Sequence, residues 1–148
     1  MSLKAILLSD MKEAMKAKDK IRLNTIRGLH SEIRNQEIDI KKDLDDEAII
    51  TIIASQIKKR KESITLFEKG DRFDLSEIEQ KEIEILQVYM PEQVSEEALR
   101  NRVQEVIKDL GVQNQGEMGR IMKVLVPEFK GKADNKLIKD LVGEYLGN

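Results

Sequence analysis

DLDDEAIITIIASQIKKRKESITLFEKG, residues 43–70, is where the fold class is decided. Its opening Ile49-Ile50-Thr51-Ile52-Ile53 is β-branched and reads as a strand on propensity alone. The run does not stop there: Ile49, Ile53, Ile57, Ile64 and Phe67 recur at spacings of three, four and seven, which is one face of a helix. Asp43 reads as the N-cap, with Asp45, Asp46 and Glu47 in the first turn, where acids complement the helix dipole. Gly70 reads as the glycine that closes the helix.

The same period extends in both directions. Upstream, Leu3, Leu7, Met11 and Met15, with Ile6 and Ala14, predict a helix over 3–17. Leu23, Ile26, Leu29, Ile33 and Ile40 predict a second over 20–40. Downstream, Asp74 and Glu77 have capping-box spacing and open a fourth helix carrying Leu75, Ile78, Ile85 and Tyr89, with Pro91 as its stop. Ser95, backed by Glu96 and Glu97, opens a fifth, lined by Leu99, Val103, Val106, Ile107 and Leu110 and closed by Gly111. A sixth spans 115–126 up to Pro127. A seventh spans 134–146, with Leu137, Ile138, Leu141, Val142 and Tyr145 inward. The expectation is an all-α chain divided near Met90-Pro91-Glu92-Gln93, with about four long helices in a bundle over 1–90 and a three-helix module over 91–148.

The 148 residues are 40% hydrophobic but hold only three Phe, two Tyr and no Trp, so Ile, Leu and Met must fill the core. The absence of Cys excludes disulfides, thiolate nucleophiles and cysteine metal sites. No apolar run approaches the roughly 20 residues of a membrane span. Leu3 to Leu8 is short, contains Lys4 and lacks a cleavage site, so the chain is expected to be cytoplasmic. No Walker loop or GxGxxG is present, and no cofactor or metal is expected.

Twenty-six bases against 28 acids name no partner, but the charges are segregated. Residues 71–97 hold nine acids and two bases, whereas residues 117–139 hold six bases and three acids. The acidic stretch has the spacing of a solvated helix face. The single histidine, His30, gives neither a triad nor a zinc site. Lys58-Lys59-Arg60-Lys61 fans around one helical turn, so only two of its charges could face one surface. The functional candidates gather in Glu117–Asp134, EMGRIMKVLVPEFKGKAD. There Lys130-Gly131-Lys132 precedes a helix start, a plausible anion cradle or simply a helix connector. Gly119 allows close approach of another backbone, and Arg120 and Lys123 lie within a turn of it.

Tyr89-Met90-Pro91-Glu92-Gln93-Val94-Ser95, Met118-Gly119-Arg120-Ile121-Met122 and Lys130-Gly131-Lys132-Ala133-Asp134 together resemble the YqeY-like family. Its C-terminal part is similar to the tail of GatB, the B subunit of tRNA-dependent amidotransferase. Asn135 departs from the glycine common in the family. The resemblance implies a tRNA-contacting appendage, with Gly119, Arg120, Lys123, Lys130, Gly131, Lys132 and Lys136 as the nucleic-acid-facing residues. It also implies an amidotransferase or aminoacyl-tRNA synthetase as partner, and no DNA specificity. Three readings follow: a non-catalytic tRNA- or RNA-binding accessory to aminoacyl-tRNA amidation, which leads; a protein-interaction module using the acidic segment; and a carbon–nitrogen ligase with glutamine as amido donor, active only with partners. No residue in the chain supplies the nucleophile that the last would need.

Overall fold

In a computed structural model, which describes residues 1–147, the described residues are helical and contain no strand. Two compact units divide the chain, Met1–Met90 and Pro91–Asn148.

The first unit contains α1 (Leu3–Lys16), α2 (Lys20–Ile40), α3 (Asp46–Lys69) and α4 (Phe73–Gln87). Residues 49–53 are indeed helix: Ile49, Ile52 and Ile53 are buried, which only a 3.6-residue period achieves. They pack with Leu7, Ile26, Leu29, Ile33, Ile83 and Leu86, each fully enclosed. Burial of one such side chain contributes about 1.5–3 kcal/mol. Met15 and Ile40 extend their sequence stripes into solvent instead, at 51% and 49% exposure. In α4 the buried positions are Ser76, Ile83 and Leu86, whereas Ile78 is exposed. The inward face of α4 is therefore shifted away from Ile78, while Ile85 and Tyr89 still pack against the core.

Three helix starts of this unit are capped by side chains. Ser2 Oγ accepts from the Ala5 N–H at 3.1 Å, and Asp19 from Arg22 at 3.2 Å. Asp45, not Asp43, caps α3, accepting from Ala48 at 2.8 Å. Asp46 is thereby freed to accept the Leu3 N–H at 2.9 Å and tie the start of α1 to the start of α3. Asp74 is not a cap either. Arg72 occupies the N-cap position of α4, and its guanidinium engages the Asp74 carboxylate, holding that acid below its usual range. The helix ends at Gln87, before Pro91, in a tight turn through Tyr89 and Met90.

The turns use left-handed residues other than glycine: Lys18 (φ 57°), Lys41 (φ 57°) and Asp71 (φ 56°). Gly70 keeps φ −93°, so the left-handed position after α3 falls on Asp71, one residue later than a closing glycine would put it. Two polar contacts lock the unit further. Glu37 accepts from Lys4 Nζ at 2.7 Å and from the Leu44 N–H at 2.9 Å. The Tyr89 hydroxyl donates to Asp10 Oδ2 at 2.6 Å.

The second unit contains α5 (Glu96–Leu110), a 3-10 turn at Gln115–Glu117, α6 (Met118–Glu128) and α7 (Asn135–Leu146). Ser95 caps α5 through the Ala98 N–H, and Gly111 closes it at φ 66°. Leu99, Val103, Ile121, Leu125, Ile138 and Val142 are fully buried around Phe129. Pro127 does not end α6. It sits in the last turn, and the Phe129 N–H still closes on the Leu125 carbonyl at 3.0 Å. A proline removes only its own N–H, so a final turn survives beyond it.

Candidate nucleic-acid interface

The site is built on α6 and the bend that follows it. Ile121 and Leu125 point into the core of the unit, so the opposite side of α6 presents Gly119, Arg120, Lys123 and Val124 to solvent. A Cβ built on Gly119 would meet no atom within 4 Å, so no described residue requires a glycine there. Beyond α6, Lys130, Lys132 and Lys136 are exposed, and Gly131 takes φ 75°, a backbone angle that glycine adopts without strain.

The bend is held from its far side by the chain entering the unit. Gln93 Nε2 donates to the carbonyls of Gly131 and Pro91, both at 2.8 Å, and the Val94 N–H donates to the Lys132 carbonyl at 3.0 Å. Sequence blocks about forty residues apart, Pro91–Val94 and Gly131–Lys132, are thus one piece of structure. The Lys132 and Ala133 N–H groups turn back to the Phe129 carbonyl at 2.9 and 3.1 Å.

The backbone cradle expected from sequence is therefore already filled. Asp134 caps α7 and accepts the Lys136 N–H at 3.0 Å, which places a carboxylate at the positive end of that helix. What remains for an anion is the side chains.

Those side chains divide by type. Arg100 pairs with Glu144 at 2.8 Å, joining α5 to α7. Arg102 makes a two-pronged contact with Glu128, both prongs at 2.8 Å, joining α5 to α6. Arg102 holds the Glu128 carboxyl below its usual range against the opposing effect of burial, with Lys132 adding a smaller push in the same direction. Arg120 is partly engaged too: it approaches the Leu110 carbonyl at 3.5 Å and Glu117 at 3.7 Å. Lys123, Lys132 and Lys136 make no ion pair with a described residue.

In the first unit, the basic run 58–61 loses Arg60 as a contact. Its guanidinium is drawn to Glu79 and Glu82 of α4. Pairings such as Arg60 with Glu82 or Arg102 with Glu128 join separate helices, and local spacing carries no signal for them. Among the described residues, no three His, Cys, Asp or Glu side chains are grouped to hold a metal ion.

This geometry defines a class: a small helical protein whose C-terminal unit turns its arginines toward internal carboxylates and its lysines outward. A model of the Yqey-like protein family matches residues 4–146, and the chain belongs to that family. Among curated relatives, each named altered inheritance of mitochondria protein 41, mitochondrial, one from Kluyveromyces lactis is 45% identical over 109 residues, 72% of this chain and 59% of that protein. One from Pyrenophora tritici-repentis is 33% identical over 144 residues, 95% of this chain and 79% of that protein. One from Saccharomyces cerevisiae (strain YJM789) is 32% identical over 143 residues, covering 95% and 68%. The chain thus spans less than two thirds of the Kluyveromyces protein.

These names correct the cytoplasmic expectation, because the relatives are mitochondrial proteins. That expectation rested on the opening residues and on the lack of a membrane-length apolar run. Helix patterning reports a fold and not the compartment to which a protein is addressed.

Proposed function

We propose that this protein is a non-catalytic tRNA- or RNA-binding accessory linked to aminoacyl-tRNA amidation, gripping phosphates with Lys123, Lys132 and Lys136 beside Arg120 and Lys130. One observation carries the reading. The three acids within 117–139 are each engaged inside the unit: Glu117 by Arg120, Glu128 by Arg102, Asp134 by the Lys136 N–H. Lys123 and Lys136 face solvent and make no ion pair with a described residue. Gly119 supports the same reading. A helical glycine costs up to about 1 kcal/mol relative to alanine, and with no internal neighbour to accommodate, its use lies in the approach of an outside backbone.

Contacts of this kind position a folded RNA and read little of its sequence. The link to amidation rests on the likeness of the C-terminal unit to the GatB tail. An accessory of organellar tRNA metabolism also fits relatives named for altered inheritance of mitochondria. The rival protein-docking reading of 71–97 is weakened, because Glu79, Glu82 and Asp74 are already paired with Arg60 and Arg72. Titration with bulk tRNA across a salt series tests the proposal. Binding should weaken steeply with salt, since phosphate contacts release counterions. No binding at low salt, or binding indifferent to salt, overturns it.

A further inference from the structure

A second basic site lies in the first unit, at the end of α2. A pocket of about 390 Å³ there is lined by Lys4, Arg34, Lys41 and Lys42, with Glu37, Asp43 and Ile38. Its charges are not all available. Lys4 is committed to Glu37 at 2.7 Å, and that pair cancels. Arg34, Lys41 and Lys42 make no ion pair with a described residue, and the one remaining acid, Asp43, lies 3.8 Å from Lys4 with a 93% exposed side chain. The pocket therefore keeps a surplus of two positive charges.

The site is also held in shape. The Lys41 and Lys42 N–H groups close on the Glu37 carbonyl, and the Leu44 N–H closes on the Glu37 carboxylate. The loop carrying both lysines is thus fastened at each end, which lowers the entropy lost when a ligand is gripped. Lys41 occupies the left-handed position where glycine would be the unstrained choice.

We propose that this pocket binds a phosphomonoester dianion, with Arg34, Lys41 and Lys42 gripping its oxygens and the 65% exposed Ile38 packing against the body of the ligand. Two positive charges match the two negative charges of a phosphomonoester, and the volume suits a small organic phosphate. The source is either the 5′ end of a polynucleotide or a small free phosphate compound.

The test uses the full chain at low salt, with backbone amide shifts as the readout. Three probes are compared: inorganic phosphate, a 5′-phosphorylated RNA octamer and the same octamer with a 5′-hydroxyl. Inorganic phosphate should shift the Arg34, Lys41 and Lys42 amides, with affinity rising from about pH 6 to about pH 8 as its monoanion becomes the dianion. The triple variant Arg34→Gln, Lys41→Gln, Lys42→Gln should bind about tenfold or more weakly. Arg34→Gln alone, on an exposed helix face, keeps the test open should the loop changes disturb folding. Tighter seating of the phosphorylated octamer assigns the site to a polynucleotide end. Equal seating of both octamers, with phosphate still shifting these amides, assigns it to a free phosphate compound.

No shift with either phosphate probe overturns the proposal, as does a flat pH profile. A poly-glutamate peptide that seats there as tightly as phosphate also overturns it and makes the pocket a protein contact. Because these residues and the lysines of α6–α7 lie in different units, loss of one set of shifts is read separately from loss of the other.

Discussion

Replacing Lys123, Lys132 and Lys136 together by glutamine gives the sharpest prediction. Five cations lie on α6, the bend and the first turn of α7, and full engagement, with Arg120 released from Glu117, would let each neutralise one phosphate. For a duplex-like RNA surface the logarithm of affinity falls with the logarithm of salt at about 0.9 per phosphate, and at about 0.7 for a single strand. Five contacts give a slope of about −3.5 to −4.5; two remaining contacts give about −1.4 to −1.8. Removing three contacts therefore weakens binding at 0.1 M salt by roughly two to three decades, a loss that shrinks toward 1 M. Fluorescence anisotropy with labelled bulk tRNA at several salt concentrations reads both quantities. The fold should tolerate the change: the three side chains are exposed and unpaired among described residues, so stability should move by no more than about 0.5 kcal/mol. An unchanged salt slope in a folded variant would refute the assignment, however much the affinity moved. Melting of the variant would instead show that the lysines serve the helix connector.

Other consequences concern the framework. Tyr89→Phe removes the hydroxyl that donates to Asp10 and should destabilise the first unit by about 1.5–3 kcal/mol, checked by urea unfolding with Asp10→Asn as the second arm of a double-mutant cycle. Burial, and then the Asp10 carboxylate, raise the Tyr89 phenol above its ordinary value near 10, so this contribution is complete below about pH 10 and is lost as pH rises through the elevated pKa. A stability gap between wild type and Tyr89→Phe that does not narrow as pH rises beyond about 10 would contradict that assignment. Lys18→Gly relieves a left-handed lysine at φ 57° and should stabilise by about 0.5–1 kcal/mol in thermal melts; a lower melting temperature would show that the lysine side chain is structural. Gln93→Ala deletes two carbonyl contacts at an exposed position and should cost about 1 kcal/mol, with hydrogen exchange accelerated at Lys132 and Ala133; unchanged exchange there would mean that the Val94 N–H alone holds the bend.

The sequence made the helices legible because their apolar period is long and uninterrupted. The β-branched run at 49–53 was resolved by Ile57 and Ile64 rather than by its own composition. Local signals failed where three acids compete for one role: Asp43, Asp45 and Asp46 all suit a cap, and only the reach of Ala48 to Asp45 and of Leu3 to Asp46 decides among them. The face of α4 was misread at Ile78, which outweighs Ser76 in hydropathy yet is exposed while Ser76 is buried; Ile85 does pack against the core. At the interface the lysines could be named from sequence, but the contents of the cradle could not. Asp134 was visible as a helix start, while its consequence, a carboxylate where an anion was expected, required the hydrogen bond to Lys136. The inward use of Arg60, Arg100 and Arg102 depends on helix pairing and has no one-dimensional trace.

The contacts from Gln93 and Val94 to the bend give the C-terminal unit a seam that closes upon itself. Its opening residues are stitched to its own later turn, so the polypeptide ahead of Pro91 is not needed to fasten them. A segment finished in this way can be joined behind an unrelated protein by gene fusion with no refitting of its border, which is the form in which a tail of this kind could travel between otherwise different chains.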